Sequence, residues 1–204
     1  MNILVLGATG ATGKLVVEHA LTSGHRVNAL VRSPQRLTTG HPNLNVITGD
    51  ATEASDVARA LQGTLAVIST LGAPKGTVMT DATTAILAAG PQHSANRIVM
   101  LSSFAVERNR LTGFTRAVTG MTMKSALKDK AIAEEMLRAS DRDWTIIHAT
   151  RLTNAAASGA ASIVPAGVRI GMAQKISRAD VAAWLVNEAT TSTGHLRQEF
   201  TLSG

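Results

Sequence analysis

The stretch Met1-Asn2-Ile3-Leu4-Val5-Leu6-Gly7-Ala8-Thr9-Gly10-Ala11-Thr12-Gly13 decides the fold. Ile3 to Leu6 reads as a buried strand, after which glycine recurs at every third position. A helix from about Thr12 to Ser23 and a second strand, Arg26 to Val31, are expected next. Glycine serves where backbone bends tightly and lies close to a pyrophosphate, and where helix packs hard on strand. The helix that opens there aims free N–H groups and its positive dipole end at phosphate. A strand, this turn and a helix together form the dinucleotide-binding pattern of a βαβ unit. A triphosphate-binding loop would need Gly-x4-Gly-Lys-Ser/Thr. It fails here because position 8 is alanine and position 15 is leucine.

The end of the second strand indicates which dinucleotide. An acidic residue there would hold a ribose 2′-hydroxyl, whereas arginine meets a 2′-phosphate. No acid occurs between Glu18 and Asp50, and the strand runs into Val31-Arg32-Ser33-Pro34-Gln35-Arg36. Arg32 and Arg36 offer planar guanidinium forks, so NADP(H) is the expected cofactor.

The 204 residues are 45% apolar and 17% charged, enough for one domain with a full core. The absence of cysteine excludes disulfides, a thiol nucleophile and thiolate metal sites. Six scattered histidines lack ligand spacing, so no metal site is expected. No signal peptide or membrane span is legible, and a cytoplasmic location is the default. Net charge is +6, and Arg108 to Lys130 holds six cations against Asp129 alone. With only Phe114 as an aromatic and no known module, nucleic acid is not expected there. An anionic small molecule or a solvated face remain the two readings.

Further strands are expected at Leu44–Thr48, Leu65–Ser69, Arg97–Leu101, Trp144–His148 and Glu199–Leu202. Helices are expected at Glu53–Leu61, Val78–Ala89 (stopped by Gly90-Pro91), Lys124–Ala139 and Ser177–Ala189. Ile132, Met136 and Leu137 are expected on one face of the third of these, and Val181, Trp184 and Leu185 inward on the last. Alternation of strand and helix predicts a Rossmann-like, doubly wound parallel sheet in a single domain, residues 1–204. Ligands in such sheets bind beyond the carboxyl ends of the strands. Gly7, Arg32, Asp50, Thr70, Ser102, Ser103 and His148 all fall there. Substrate loops are expected at about 104–122 and 150–173.

With its glycines at 7, 10 and 13, Val31-Arg32, Gly49-Asp50, Leu101-Ser102-Ser103 and the helix Lys130 to Arg138, the chain resembles the atypical short-chain dehydrogenase/reductases. More narrowly, it is similar to the NAD(P)H-binding group that includes NmrA-like proteins and flavin (biliverdin-IXβ) reductases. The resemblance implies a hydride donor, NADPH, below an open acceptor site. By position it places Gly7, Thr9, Gly10, Ala11, Thr12 and Gly13 at the pyrophosphate. Arg32 and Arg36 fall at the 2′-phosphate, Asp50 and Ala51 at the adenine, and Leu71-Gly72 at the adjoining ribose. Ser103, or its neighbour Ser102, would lie beside the nicotinamide. Typical members carry a tyrosine four residues before a lysine as general acid. Lys130 fits the lysine, but position 126 is alanine and the chain has no tyrosine. Carbonyl reduction through a tyrosinate is thereby excluded. Flavin reduction survives, since the remaining proton can come from water.

Each single residue has a plainer role to weigh. Ser103 either donates to the nicotinamide end or caps the turn after its strand. Lys130 contacts ribose or an anionic substrate, or is a surface lysine at a helix start. His148 is expected to be a satisfied strand-end histidine. Arg151 and Asn154 follow the sixth strand, and Met121 and Met123 are expected to pack a helix edge. The expected function is an NADPH-dependent reductase of a flavin, quinone or similar planar acceptor, as a monomer or homodimer without nucleic-acid or membrane partners. The alternative is a non-catalytic NADP(H) sensor of NmrA type. A nucleotide-sugar epimerase or dehydratase fits poorly, since it wants the same tyrosine and a larger C-terminal domain.

Overall fold

The computed structural model describes residues 1–89, 94–192 and 194–204. Gly90-Pro91, the expected stop of the third helix, lies outside them. Among the described residues, ten strands and six α-helices follow one another as β1 (Asn2–Leu6), α1 (Ala11–Thr22), β2 (Arg26–Val31), β3 (Leu44–Thr48), α2 (Ala54–Ala60), β4 (Ala66–Ser69), α3 (Val78–Ala89) and β5 (Arg97–Ser103). There follow α4 (Gly113–Thr122), α5 (Lys124–Arg138), β6 (Asp143–Ala149), β7 (Arg151–Thr153), β8 (Ser162–Ile163), β9 (Lys175–Ser177), α6 (Arg178–Thr190) and β10 (Gln198–Ser203).

The main sheet runs β3-β2-β1-β4-β5-β6-β10-β8. All its pairings are parallel except that of β10 with the edge strand β8. A short parallel pair, β7 with β9, stands apart. Strand order therefore reverses between β1 and β4, the switch point where such sheets open a crevice. Both faces of the sheet are covered, so alternate residues of one strand feed two cores. Ile3 and Val5 pack with Val16, Val17 and Ala20 of α1 and Val181 and Leu185 of α6. Leu4 and Leu6 pack with Val57 of α2, Met79, Ala82 and Ile86 of α3, and Ala133 and Leu137 of α5. Among the described residues no helix is long and apolar enough to cross a membrane.

Three expectations are corrected. The segment 104–122 is not an open loop: two 3-10 turns, Phe104–Val106 and Arg108–Arg110, lead into α4. That helix turns Thr115 and Thr119 inward and leaves Phe114 and Met121 in solvent. Ile132 does not face the core either, being 39% exposed, because α5 buries Asp129, Ala133, Glu134 and Leu137 instead. Finally, β5 continues through Ser102 and Ser103, which pair with His148 and Ala149 of β6.

Candidate functional site

The glycine turn is built around carbonyl packing. Gly7 has φ +82°, and a Cβ there would meet Thr70 Oγ1 at 2.7 Å. A Cβ on Gly13 would run into the Gly7 carbonyl, so α1 can approach β1 this closely only without one. Gly10 N–H donates to Gly7 O at 2.9 Å, and Thr70 Oγ1 from the end of β4 donates to Leu6 O at 3.1 Å. The N-cap of α1 is Gly10, which brings no side-chain hydrogen bond to the helix start. The first-turn amides are thus left for a ligand, and the turn fits a pyrophosphate.

A cleft of about 520 Å³ opens from this helix start, within the range of small-molecule sites. Of the expected residues, Gly10, Ala11, Thr12, Leu71, Gly72, Ser102, Ser103 and Lys130 line it. Its far wall is Thr119, Met123, Thr150, Arg151, Met172 and Arg178. Gly7, Thr9 and Gly13 shape the turn without lining the cleft, and Arg32, Arg36, Asp50 and Ala51 lie off it along the ends of β2 and β3. Arg32 is exposed, as is Arg36 on the 3-10 turn Pro34–Arg36. Asp50 Oδ1 accepts from Thr52 N–H at 3.0 Å and Thr52 Oγ1 at 2.9 Å, closing a local turn, while Ala51 is buried in the core.

At the cleft end of β5, Ser103 Oγ accepts the Ala105 N–H at 3.3 Å, the capping role. Lys130 Nζ has the Met79 sulfur at 3.2 Å, a weak acceptor. Burial pushes its pKa down, against the pull of Glu134 and Asp129. Asp129 itself is buried and accepts N–H bonds from Met79 (3.0 Å) and Thr80 (2.9 Å), capping α3. Ala126, where a tyrosine would stand, is buried. Met121 is exposed and Met123 lines the cleft, so the two methionines do not act as a pair. Arg151 Nε donates to Met172 O at 3.3 Å, and Asn154 Oδ1 accepts from Arg178 Nη1 at 2.7 Å.

Behind Ser102 lies a charge cluster that sequence reasoning did not assemble. Ser102 Oγ donates to Glu134 Oε1 at 2.5 Å. That same oxygen is 3.2 Å from His148 Nε2, and His148 Nδ1 is 3.0 Å from Glu107 Oε1. Both contacts lie off the ring N–H axes, so Coulomb attraction holds the imidazole more than linear hydrogen bonds do. Glu107 also accepts from Thr201 Oγ1 at 2.5 Å and Arg110 Nη1 at 2.9 Å. Burial alone would lower the His148 pKa, but contacts with Glu107 and Glu134 outweigh it and raise the value to about 9. For Glu107 burial pulls upward, yet His148, Thr201 and Arg110 bring the value to about 2. Glu134 is likewise held below its usual range, with burial opposing and His148, Ser102 and Arg138 prevailing. His148 thus departs from the expected satisfied strand-end histidine: neither ring nitrogen makes a hydrogen bond among the described residues, and two carboxylates favour its charged form. Glu134, His148 and Glu199 present ligand atoms within 4.8 Å of one another. Arg138 Nη2 already brings a cation there, 2.9 Å from Glu134 Oε2 and 2.6 Å from Glu199 Oε2. Glu134 had one legible signal, standing one helical turn after Lys130 on the same face.

The chain matches the NAD(P)H-binding family over residues 7–192. It is 30% identical over 207 residues to (4-alkanoyl-5-oxo-2,5-dihydrofuran-3-yl)methyl phosphate reductase of Streptomyces griseus, covering 99% of this chain and 67% of that protein. An oxidoreductase of Pestalotiopsis microspora is 30% identical over 162 residues, covering 69% of this chain and 62% of its own length. Among solved structures, the anaerobilin reductase ChuY of Escherichia coli O157:H7 superposes with TM-score 0.83 at 26% identity, covering 99% of this chain and 96% of ChuY. A short-chain dehydrogenase/reductase of Veillonella parvula in complex with NADP shares the fold, with TM-score 0.83 at 19% identity, over 100% of this chain and 94% of that one. With a glycine turn that leaves the start of α1 open, the Rossmann-like sheet and a match over nearly its whole length, the chain belongs to the NAD(P)H-binding family of oxidoreductases.

Proposed function

We propose that the chain is an NADPH-dependent reductase whose acceptor is a flavin or a similar planar conjugated molecule. The carrying observation is the cleft itself. It joins the open start of α1 to Ser102, Ser103 and Lys130, and the residue four before that lysine is the buried Ala126, not a tyrosine. Bound reduced nicotinamide supplies a hydride. The protein's part is to orient donor and acceptor and to exclude water, contributions that do not need a tyrosine. Arg32 and Arg36 favour the 2′-phosphate of NADPH over NADH. Lys130, Arg151 and Arg178 line the cleft and no acid is among its described lining residues, which favours an acceptor bearing negative charge. The reductase names of the Streptomyces griseus protein and ChuY support the same class.

The test is to mix purified protein with NADPH and FMN, riboflavin, a quinone or a linear tetrapyrrole and follow the absorbance of reduced nicotinamide. Oxidation with at least one acceptor is expected; none with any would reject the reading. The missing phenol also favours a second reading, a redox sensor that binds NADP(H) without turnover. A protein partner retained with NADP⁺ but not NADPH, without oxidation, would establish that instead.

A further inference from the structure

We propose that Ser102 delivers a proton to the acceptor and that Glu134, His148 and Glu107 form the buried chain that refills it from the surface. This rests on the reductase reading. A hydride alone leaves a conjugated acceptor one proton short, and the family's usual phenol is absent at Ala126. Ser102 lines the cleft, and its hydroxyl ends a continuous string of contacts. Glu134 Oε1 is shared between Ser102 Oγ at 2.5 Å and His148 Nε2 at 3.2 Å. His148 Nδ1 then reaches Glu107 Oε1 at 3.0 Å, and the Glu107 side chain is 22% exposed to solvent. The string thus crosses from the cleft to water through two groups that are otherwise sealed, His148 at 1% and Glu134 at 0% exposure.

A purely structural cation between two buried carboxylates is best supplied by arginine, which never loses its charge. Histidine is the cation that can release a proton near neutral pH and regain it. The groups facing it are Glu107 after β5, Glu134 on α5, Ser102 on β5 and Thr201 on β10, with Arg110 and Arg138 behind the two carboxylates. Protons balance along this path. Ser102 Oγ–H gives its proton to the acceptor heteroatom that gained negative charge from the hydride. Glu134 Oε1 passes one proton from His148 Nε2 to Ser102 Oγ as the ring librates into line. The ring, now neutral and still protonated at Nδ1, turns its bare Nε2 toward Glu107. It takes up there a proton that Glu107 relays from water, and turns back protonated on both nitrogens. The sum is one hydride and one solvent-derived proton added to the acceptor.

The discriminating variant is His148→Arg, which keeps the charge between Glu107 and Glu134 but cannot release a proton. The expected result is wild-type NADPH affinity and unfolding midpoint, with turnover down at least tenfold and insensitive to pH between about 6 and 9. Ser102→Ala should fall similarly. In the cofactor-free protein, imidazole ¹⁵N shifts should show His148 protonated on both nitrogens at pH 7.5 in wild type and in Ser102→Ala. A neutral His148 at that pH would overturn the relay. So would wild-type rate and pH profile in His148→Arg, which would leave the reductase standing. Wild-type protein that oxidises NADPH with no acceptor would remove the reductase and the relay together.

Discussion

Two buried charge clusters sit at opposite ends of the same sheet, and their difference separates support from chemistry. At the amino end of β5, Arg97 pairs with Glu188 of α6 at 3.3 Å and donates twice to the Glu188 carbonyl, at 3.1 and 2.9 Å. Glu188 also holds His195 Nδ1 at 2.8 Å and accepts the His195 N–H at 2.9 Å. This cluster ties the end of α6 to the sheet, and none of Arg97, Glu188 and His195 lines the cleft. At the carboxyl end of β5 the buried cation is His148, the carboxylates are Glu107 and Glu134, and a hydroxyl of the cleft wall is bonded to one of them. A permanent guanidinium serves one end, a titratable imidazole the other.

The largest expected effects come from breaking each cluster. Arg97→Met and Glu134→Leu should each cost about 3–5 kcal/mol in urea unfolding, because each leaves buried charge unpaired. Only Glu134→Leu should change turnover per folded molecule. A changed pH profile in Arg97→Met would break the contrast.

Next is the pH dependence of stability. His148 has a folded pKa of about 9, above its usual 6.5, so its contribution is complete below pH 6.5 and is lost as pH rises toward 9. Its size is on the order of 3 kcal/mol. Glu107, at about 2 against 4.5, contributes fully above pH 4.5 and loses that as pH falls toward 2. Urea midpoints across pH should show both flanks, and His148→Arg should erase the alkaline one.

Charge reversal at both Arg32 and Arg36 sharpens the contrast from outside either cluster. NADPH affinity should drop by roughly tenfold or more, as expected for lost charged hydrogen bonds. Affinity for NADH should hold, and stability should move by less than about 0.5 kcal/mol since both side chains are exposed. Calorimetric titration with each nucleotide decides it. Smallest is Thr201→Val, which removes the hydroxyl donated to Glu107 and should cost about 1 kcal/mol.

The legible parts of the fold were those whose information is local. Ile3 to Leu6, the glycines at 7, 10 and 13 and the apolar spacing of α6 state their own roles, and the observed boundaries lie within a residue or two of the expected ones. The face of α5 was misread, and α4 was taken for an open loop, for one common reason. Apolar spacing assumes that acids and hydroxyls face water. In α5, Asp129 and Glu134 are drawn inward by the N–H groups of Met79 and Thr80, by Ser102 and by His148, all distant in sequence. In α4, Thr115 and Thr119 turn inward, with Thr112 and a backbone carbonyl satisfying their hydroxyls, while Phe114 and Met121 stay exposed. The strand end at Ser102 and Ser103 and the lysine at 130 were readable as a site from motif position. Thr150 and Met172 fall within the expected substrate loop 150–173, whereas Arg178 was not legible, because only the packing of the start of α6 against that loop brings it to the cleft.

The most direct measurement is a single turnover with NADPH deuterated at C4, the two stereoisomers compared separately. Hydride transfer across an ordered cleft should slow oxidation with one label and leave the other at the unlabelled rate. Equal rates with both labels, or tight NADPH binding without oxidation by any acceptor, would contradict a reductase built on this site.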